Sequence, residues 1–293
     1  SGGTHTTGFS CKCLAEDFDL LLGLLSDTLR QPTFPSDHVE KLRAQIMTGL
    51  ALRAQDTAQM AAMAFDELVY PNHPYGRDED GYPETIQAIN RDDLAAFHTK
   101  HYGPKGMVLS VVGGIDPSAV VDKVRAIFSD WANPDQPQGI DVPDADKISG
   151  LLRKRVDISG MSQSDVIIGA PGPRRSDKHY IPAAVGNNIF GMFGLMGRIG
   201  DVVREEAGLA YYAYSQLTSG LGPAPWVIRA GVNPANEEAA VDLIRKEIGR
   251  FTTELVTEDE LSDSQCNYIG RLPLALESNM GVAGAMLNLE RYK

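Results

Sequence analysis

An arginine and a tyrosine seven residues apart are the side chains of this sequence whose types and spacing most favour a binding or catalytic role. Arg204 and Tyr211 lie in the stretch 197–215, where apolar spacing predicts a short helix that ends at Gly208. The tyrosine run after the glycine favours a strand. A guanidinium on the last helical turns and a phenol hydroxyl on the strand would then converge, and both groups donate hydrogen bonds. The pair is therefore a candidate for holding a carbonyl oxygen or stabilising an oxyanion.

The same two residues also have a purely structural interpretation. Arg204 would form a surface ion pair with Glu205 or Glu206, and Tyr211 would be half-buried in a sheet. Exposed ion pairs contribute little to stability, and tyrosines in such positions are common. From the residue chemistry alone, this structural interpretation carries more weight than the functional one.

Glycines recur every three residues immediately before the arginine, at 191, 194, 197 and 200. They do not form a phosphate-binding loop, because no Lys-Ser or Lys-Thr pair follows them. Glycine lets another backbone approach closely, since it has no Cβ atom. Gly191, Gly194 and Gly197 are therefore candidate positions for binding a peptide substrate.

The run Arg-Glu-Glu-x-Gly-Leu-Ala-Tyr at 204–211 resembles the second-half signature of the pitrilysin family of zinc metallopeptidases. That family includes insulin-degrading enzyme, bacterial two-subunit peptidases and the mitochondrial processing peptidase. The first half resembles it too, in Tyr-Pro-x-His-Pro-Tyr-Gly at 70–76, Leu-x-x-Phe-His-x-x-His-Tyr at 94–102 and Val-Val-Gly-Gly-Ile-Asp at 111–116. The resemblance implies that Arg204 and Tyr211 bind the substrate backbone across a cavity from the zinc.

The zinc-binding residues of that family are missing from this sequence. None of the six histidines opens or closes the H-x-x-E-H motif. The family also has a zinc-ligating glutamate six residues before an aspartate; counting back from Asp56 gives Leu50, which cannot bind zinc. His98 and His101 lie one helical turn apart, but a metal site needs a further ligand, and such pairs also serve as cations at helix C-termini. We therefore predict no metal in this chain.

Composition limits the classes of partner and the cellular locations that we expect. The 293 residues allow one or two domains, and 43% hydrophobic residues suffice for a sizeable core. A net charge of −12 argues against nucleic acid as a partner. No apolar run of about 18 residues predicts a membrane span. The three cysteines do not make a disulfide framework, which favours a cytoplasmic location and leaves a periplasmic or secreted one open.

The hydrophobic pattern predicts an α+β fold. Together with the resemblance it implies two structurally repeated α/β-roll domains, each an antiparallel-rich sheet covered by helices. Residues 1–133 would be the C-terminal part of the first peptidase-like domain, truncated at its N-terminus, and residues 151–293 the second domain without its last elements. A Pro-rich linker at 134–150 would join them. Strands are predicted within 1–14 and at 106–113, 151–159, 163–169, around 211–214 and at 226–232.

Three functions follow as hypotheses. The preferred one is the non-zinc-binding subunit of a two-chain peptidase, which grips peptide through Arg204 and Tyr211 and completes the chamber of a homologous partner that carries the zinc. The second is a non-catalytic scaffold or chamber protein of the same fold. The third is a fragment of an active zinc metallopeptidase, which Leu50 disfavours.

Overall fold

The chain forms two compact units in the computed structural model, which describes residues 2–137, 139 and 141–292. Each unit joins segments from both sides of the stretch 134–150, and the predicted boundaries at 133 and 151 remain a prediction. Residues 138 and 140 of the predicted linker lie outside the described residues. The first unit comprises Ser1–Gly49, Glu79–Asp141 and Leu274–Lys293, and the second comprises Leu50–Asp78 and Val142–Pro273.

Helices account for most of the regular structure. In the described part of the chain, no helix is long and apolar enough to cross a membrane. The α-helices are α1 Phe18–Arg30, α2 Ser36–Arg53, α3 Thr57–Val69, α4 Pro83–Ala88, α5 Arg91–His101, α6 Pro117–Phe128, α7 Tyr180–Gly191, α8 Gly197–Gly200, α9 Glu237–Thr253, α10 Glu258–Ala275 and α11 Asn279–Arg291.

The second unit is built on a three-stranded antiparallel sheet of β1 (Ser164–Pro171), β2 (Ala210–Leu217) and β3 (Pro225–Val232). The strand order is β1-β3-β2, so β3 pairs on both sides. Alternate side chains of β3 point to opposite faces, as the period of a strand requires. Because both faces are covered, β3 is apolar at nearly every position, which made it recognisable in the sequence.

One face of this sheet carries the larger core. Phe190 of α7 and the α9 residues Ala240 and Ile244 pack there against Ile228 and Ala230 of β3. Burial of a phenylalanine or isoleucine side chain contributes about 1.5–3 kcal/mol relative to exposure. The opposite face packs against α3 through Phe65, Val69 and Val227.

The loop after α3 is fixed within the second unit by polar contacts. The Tyr70 hydroxyl donates to the carbonyl oxygen of Pro223 over 2.7 Å. His73 accepts the backbone N–H of Tyr75 at Nδ1 and donates from Nε2 to the Pro143 carbonyl over 3.0 Å. His73 is thus a turn residue, at the N-cap of a short 3₁₀-helix, Pro74–Gly76.

The first unit has a smaller core between α1 and α6. Phe18, Leu22 and Leu29 of α1 pack with Phe128 of α6. His98 of α5 donates from Nε2 to the carbonyl oxygen of Leu29 over 2.8 Å, so this ring serves the packing of two helices.

Three predicted strands are wrong. Residues 106–113 and 151–159 form no strand, and residues 1–14 show only an isolated bridge between Gly2 and Thr7. A strand needs a neighbour to complete its ladder, and the described residues supply none for these segments. Leu151 is 78% exposed as a result. The sheet of the second unit confirms the remaining strand predictions, with β1 at Ser164–Pro171.

Helix α7 meets β2 at a point where no Cβ atom fits. A Cβ added to Gly191 would lie 2.3 Å from both the backbone nitrogen and the Cβ of Ser215. Three polar side chains form hydrogen bonds beside this contact. Trp226 Nε1 donates to Asn187 Oδ1 over 2.8 Å and lies 3.0 Å from Ser215 Oγ. Buried polar groups that satisfy one another fix a single packing arrangement. The end of α7 is therefore locked onto the sheet.

Replacing Gly191 with alanine tests this contact. We expect Gly191→Ala to lower the free energy of unfolding by about 1–3 kcal/mol, because the added methyl group forces α7 away from β2. Gly249→Ala is the matched control, since a Cβ at this helical glycine would meet nothing within 4 Å. The control should leave stability unchanged or raise it by about 0.5–1 kcal/mol. Urea denaturation followed by tryptophan fluorescence measures both; equal effects of the two variants would contradict the packing constraint.

Candidate functional site

Arg204 is carried by a π-helical turn on the sheet face that carries the larger core. The turn, Asp201–Glu206, continues directly from α8. Ile199 and Val203, four residues apart, are both 0% exposed and anchor this segment in the core. The next residue, Arg204, consequently projects outward, with 39% of its side chain exposed. Single π-turns inside helices often occur at functional sites, because they redirect one side chain.

The turn ends at Gly208 in the way the sequence predicts. Gly208 has a φ of +64°, and its N–H donates to the Arg204 carbonyl over 3.1 Å. The N–H of Leu209 donates to the Val203 carbonyl, also over 3.1 Å. The first of these is the 5→1 bond of an αL helix end, which reverses the chain and leads it into β2. The carbonyl of Arg204 is thus part of the helix stop.

Tyr211 lies at a β-bulge at the start of β2. Ala210 pairs with Val232 and Tyr212 pairs with Gly231, so one extra residue is inserted between these pairs. Ala213 and Ser215 on the same strand are 0% exposed, and an unbroken alternation would turn position 211 toward that buried face. The bulge removes it from the alternation, and Tyr211 is 64% exposed.

The helix stop and the bulge place Arg204 and Tyr211 on either side of one tight reversal, with both side chains exposed. Within the described residues, no hydrogen bond or ring contact joins them. Arg204 Nη1 instead lies 3.3 Å from Glu205 Oε1, which is the surface ion pair of the structural interpretation. The other half of that interpretation does not hold, because Tyr211 is exposed. An exposed pair of this kind contributes about 0.2–1 kcal/mol, so a ligand oxygen can replace it.

Three carboxyl groups lie on the same turn as the arginine. The pKa of Asp201 is raised above its ordinary value because the group is partly buried and because Glu206 and Glu205 lie near it. The turn carries three carboxyl groups and one guanidinium, and its net negative charge attracts ligands with positive groups.

The candidate glycines differ in what lies next to them. A Cβ at Gly197 would lie 2.5 Å from the Ile189 carbonyl oxygen, and Gly191 faces Ser215, so the chain itself makes both close approaches. Gly194 has a φ of +64° and open space around its Cα. Between these glycines, Met192, Phe193 and Leu195 are exposed apolar side chains. The loop therefore offers an apolar surface next to the helical segment that carries Arg204.

An ion pair that the sequence analysis missed fixes the segment in front of Arg204. Arg198 donates from Nε and Nη2 to the two carboxylate oxygens of Glu260, each over 2.6 Å. A second carboxylate, on the buried Glu247 of α9, lies 3.9 Å from Arg198 Nη1. Bidentate pairs of this type are strong and directional. The loop and α8 are thereby tied to α9 and α10.

The missed ion pair had a partial signal in the sequence. The spacing of Thr257 and Glu260 predicts a capping box, and the structure confirms it, with the Thr257 N–H donating to Glu260 Oε2 over 2.8 Å. The same carboxylate also receives Arg198, 62 residues away, which no local pattern reveals.

The residues present do not fit a zinc ion. In the described ranges, no three side chains of His, Cys, Asp or Glu come together. His98 uses Nε2 for the Leu29 carbonyl, and His101 stacks on Phe97 with ring centroids 4.5 Å apart. Leu50, at the position where the resemblance expects a glutamate, is only 6% exposed in α2. The site thus provides hydrogen-bond donors, and we derive no metal-dependent step from this chain's residues.

Comparison with known families gives a match along most of the chain. The family described as "Peptidase M16 inactive domain" matches residues 88–267. An uncharacterized zinc protease of Streptomyces coelicolor is 26% identical over 285 residues, which cover 96% of this chain and 61% of that protein. The chain therefore spans about three fifths of the length of this relative.

Solved structures show the same fold. A peptidase M16 inactive domain from Pseudomonas fluorescens gives a TM-score of 0.83 at 24% identity, covering 95% of this chain and 65% of that one. A protease from Helicobacter pylori gives a TM-score of 0.87 at 22% identity, covering 94% and 68%. The helices around a small antiparallel sheet are thus a known arrangement.

The Arg198–Glu260 pair predicts a specific pH dependence of stability. Arg198 lowers the pKa of Glu260 from 4.5 to about 2. A carboxyl group with a lowered folded-state pKa stabilises the fold fully above about pH 5, and this stabilisation is lost as the pH falls from 4.5 to 2. Glu260→Gln keeps the capping box but removes the charge, so we expect a loss of about 1.5–3 kcal/mol at pH 7 that shrinks over this window.

The control for this prediction is Glu258→Gln, two residues earlier in the same exposed first turn. It should have a small effect at every pH. Urea denaturation between pH 2.5 and pH 7 measures both variants. A Glu260→Gln effect that does not depend on pH would mean that the ion pair is not the source of the stabilisation.

Proposed function

Since this chain belongs to the Peptidase M16 inactive-domain family, we propose that it is a peptide-binding subunit that completes the chamber of a zinc-bearing, homologous peptidase. Peptide-bond hydrolysis is the activity of the pair, and zinc is held by the partner. The observation that carries the proposal is the exposure of two hydrogen-bond donors, Arg204 and Tyr211, beside one chain reversal. The described residues bring no three metal-binding side chains together.

The two donors have complementary roles in this proposal. The guanidinium of Arg204 offers several N–H groups in one plane and binds backbone carbonyl oxygens of the peptide. The hydroxyl of Tyr211 donates to the carbonyl oxygen that becomes negative when water attacks the peptide bond. Donors aimed at such an oxygen stabilise the transition state more than the ground state, which is what accelerates the reaction. Binding of substrate releases Glu205 from Arg204.

The glycine loop supplies the path of the peptide. We place substrate beside Gly194, where the backbone is open, and beside the exposed side chains of Met192 and Phe193. Gly191 and Gly197 act indirectly, by letting the loop pack on α7 and β2. The net charge of −12 and the carboxyl groups on the turn that carries Arg204 favour peptides that carry positive charge.

The proposal includes a domain organisation. Residues 151–293 form one peptidase-like repeat, residues 1–133 belong to another, and residues 134–150 connect them. The chain spans about three fifths of the Streptomyces coelicolor relative. The activity of a whole protein of that length is therefore a proposal.

A scaffold without peptidase function is the second candidate. The observation in its favour is the ion pair of Arg204 with Glu205, which uses the guanidinium without any substrate. A scaffold does not need the Tyr211 hydroxyl, and loss of this hydroxyl is therefore the change that separates the two functions.

Substitution of the two donors tests the peptidase function. The chain is mixed with an H-x-x-E-H homologue from the same organism, and hydrolysis of a fluorogenic peptide is followed. We expect Tyr211→Phe and Arg204→Ala each to lower kcat/KM by about 10²–10³, the effect of losing one donor to a developing oxyanion. The zinc content of the mixture should stay unchanged.

Two variants control for general damage. Tyr214→Phe removes a hydroxyl from the same strand, and Arg245→Ala removes an exposed guanidinium from α9. Both should leave kcat/KM within about twofold of the unchanged chain. If the donor variants behave like these controls in an active mixture, Arg204 and Tyr211 do not bind substrate. If this chain alone binds zinc and cleaves peptide, the subunit function is wrong.

A further inference from the structure

Three hydrogen-bond donors converge on the carboxylate of Asp165, on the sheet face that packs against α3. The Tyr212 hydroxyl donates to Asp165 Oδ1, and the Thr57 hydroxyl donates to Asp165 Oδ2. Gln163 Nε2 also donates to this carboxylate and lies 3.1 Å from each of its oxygens. Hydrogen bonds to an ionised group are stronger than those between neutral groups. The carboxylate therefore holds all three donors firmly.

The ring of Tyr212 is held against the sheet as well as at its hydroxyl. Its cross-strand neighbour is Gly231 of β3. A Cβ atom at Gly231 would overlap Tyr212 Cε1 and would lie 2.9 Å from Gln163 Nε2, so the ring fills space that is open only above a glycine. Burial, and secondly the hydrogen bond to Asp165, raise the pKa of Tyr212 above its ordinary value. The hydroxyl therefore stays protonated and donates.

This tyrosine directly follows the extra residue of the β-bulge. Tyr211 lies between two fixed pairs, Ala210 with Val232 and Tyr212 with Gly231. Ala210 packs against the larger core on one face of the sheet, and Tyr212 is held on the other face. The register of a strand is fixed only where its side chains are held on a definite face. The bulge is thus fixed on both sides of Tyr211.

We propose that Asp165 is a positioning residue for Tyr211. By holding Tyr212 against Gly231, the carboxylate fixes the β-bulge that keeps Tyr211 exposed. Without this hold, β2 returns to regular alternation and turns Tyr211 toward the buried face. The consequence for hydrolysis rests on the proposed function, whereas the consequence for the bulge does not.

A fluorine label on Tyr211 tests the position of this side chain without any reaction. Fluorotyrosine is incorporated at position 211 alone, and its fluorine NMR signal is recorded in this chain without a partner. We expect one main signal in the otherwise unchanged chain. Tyr212→Phe keeps the ring and removes the bond to Asp165, and loss of a bond to a charged group shifts an equilibrium by about ten- to hundredfold. A second signal with at least about a tenth of the total intensity should therefore appear.

Asp165→Ala removes the same bond from its other side and should give the same second signal. Two variants control for general loosening. Tyr214→Phe removes a hydroxyl that has no hydrogen-bond partner among the described residues, on a ring 5.8 Å from that of Tyr212. Thr57→Val removes another donor to Asp165 and leaves the Tyr212 bond in place. Both controls should keep the single signal. One unshifted signal in Tyr212→Phe and Asp165→Ala, or a second signal in all four variants, would overturn the proposal.

Hydrolysis in the mixture with the H-x-x-E-H homologue measures the consequence for Tyr211. Tyr212→Phe should lower kcat about tenfold and leave KM within about twofold, because Arg204 still binds the peptide and only the donor to the developing oxyanion is displaced. In a chain that already carries Tyr211→Phe, adding Tyr212→Phe should change kcat by less than about twofold, since a residue that acts through Tyr211 has nothing left to position. Equal losses with and without Tyr211→Phe would mean a general structural effect and would overturn the positioning role.

The positioning role and the proposed function fail in different ways. If Tyr211→Phe leaves hydrolysis unchanged in an active mixture, the proposed function fails, and the fluorine signal still decides whether Asp165 fixes the bulge. If Tyr211→Phe lowers hydrolysis but Tyr212→Phe changes neither the fluorine signal nor kcat, the function stands and the positioning role of Asp165 is wrong.

Discussion

The close approach of α7 to β2 at Gly191 is the constraint on which the candidate site depends. A side chain at this position would overlap the backbone of Ser215, so only glycine lets the helix end touch the strand. The Asn187–Ser215–Trp226 hydrogen bonds then hold the contact in one geometry. A short loop leads from the end of α7 to α8, and Arg198 of α8 is bound by Glu260. The helix that carries Arg204 is thus positioned from both ends.

Two local irregularities turn this rigid frame into a potential binding surface. The π-turn at Asp201–Glu206 keeps Val203 in the core while Arg204 projects outward, and the β-bulge takes Tyr211 off the buried face of β2. Regular structure would have buried or misdirected both groups. Proteins tolerate such departures where the surrounding packing is strong, as it is around Ile199 and Val203. The core therefore holds the exposed donors in position, and the donors themselves are not part of the core.

Local sequence patterns predicted the elements that satisfy themselves locally. Helices α3, α5 and α6, the Gly208 stop and the Thr257–Glu260 capping box follow from spacing and cap residues within a few positions. The strands of the second unit were also predictable, because β3 is apolar on both faces. The position of Arg204 and Tyr211 on one reversal followed from the same signals.

What the sequence did not predict depends on distant partners. Residues 106–113 and 151–159 have strand composition, but whether they pair is decided by which other strands are present. The Arg198–Glu260 pair joins residues far apart in the chain, and the bulge at Tyr211 depends on the register with β3. The glycines at 191 and 197 were recognised as sites of close approach, but their neighbour is the chain itself.

The central claim is that this chain completes a peptidase whose zinc lies in another subunit. The direct measurement is peptide hydrolysis and zinc content of this chain alone, of an H-x-x-E-H homologue alone, and of the two mixed. The account predicts zinc in the homologue, none in this chain, and activity that appears or rises strongly only in the mixture. Activity of this chain alone with one bound zinc, or no change of the homologue's activity on mixing, would contradict it.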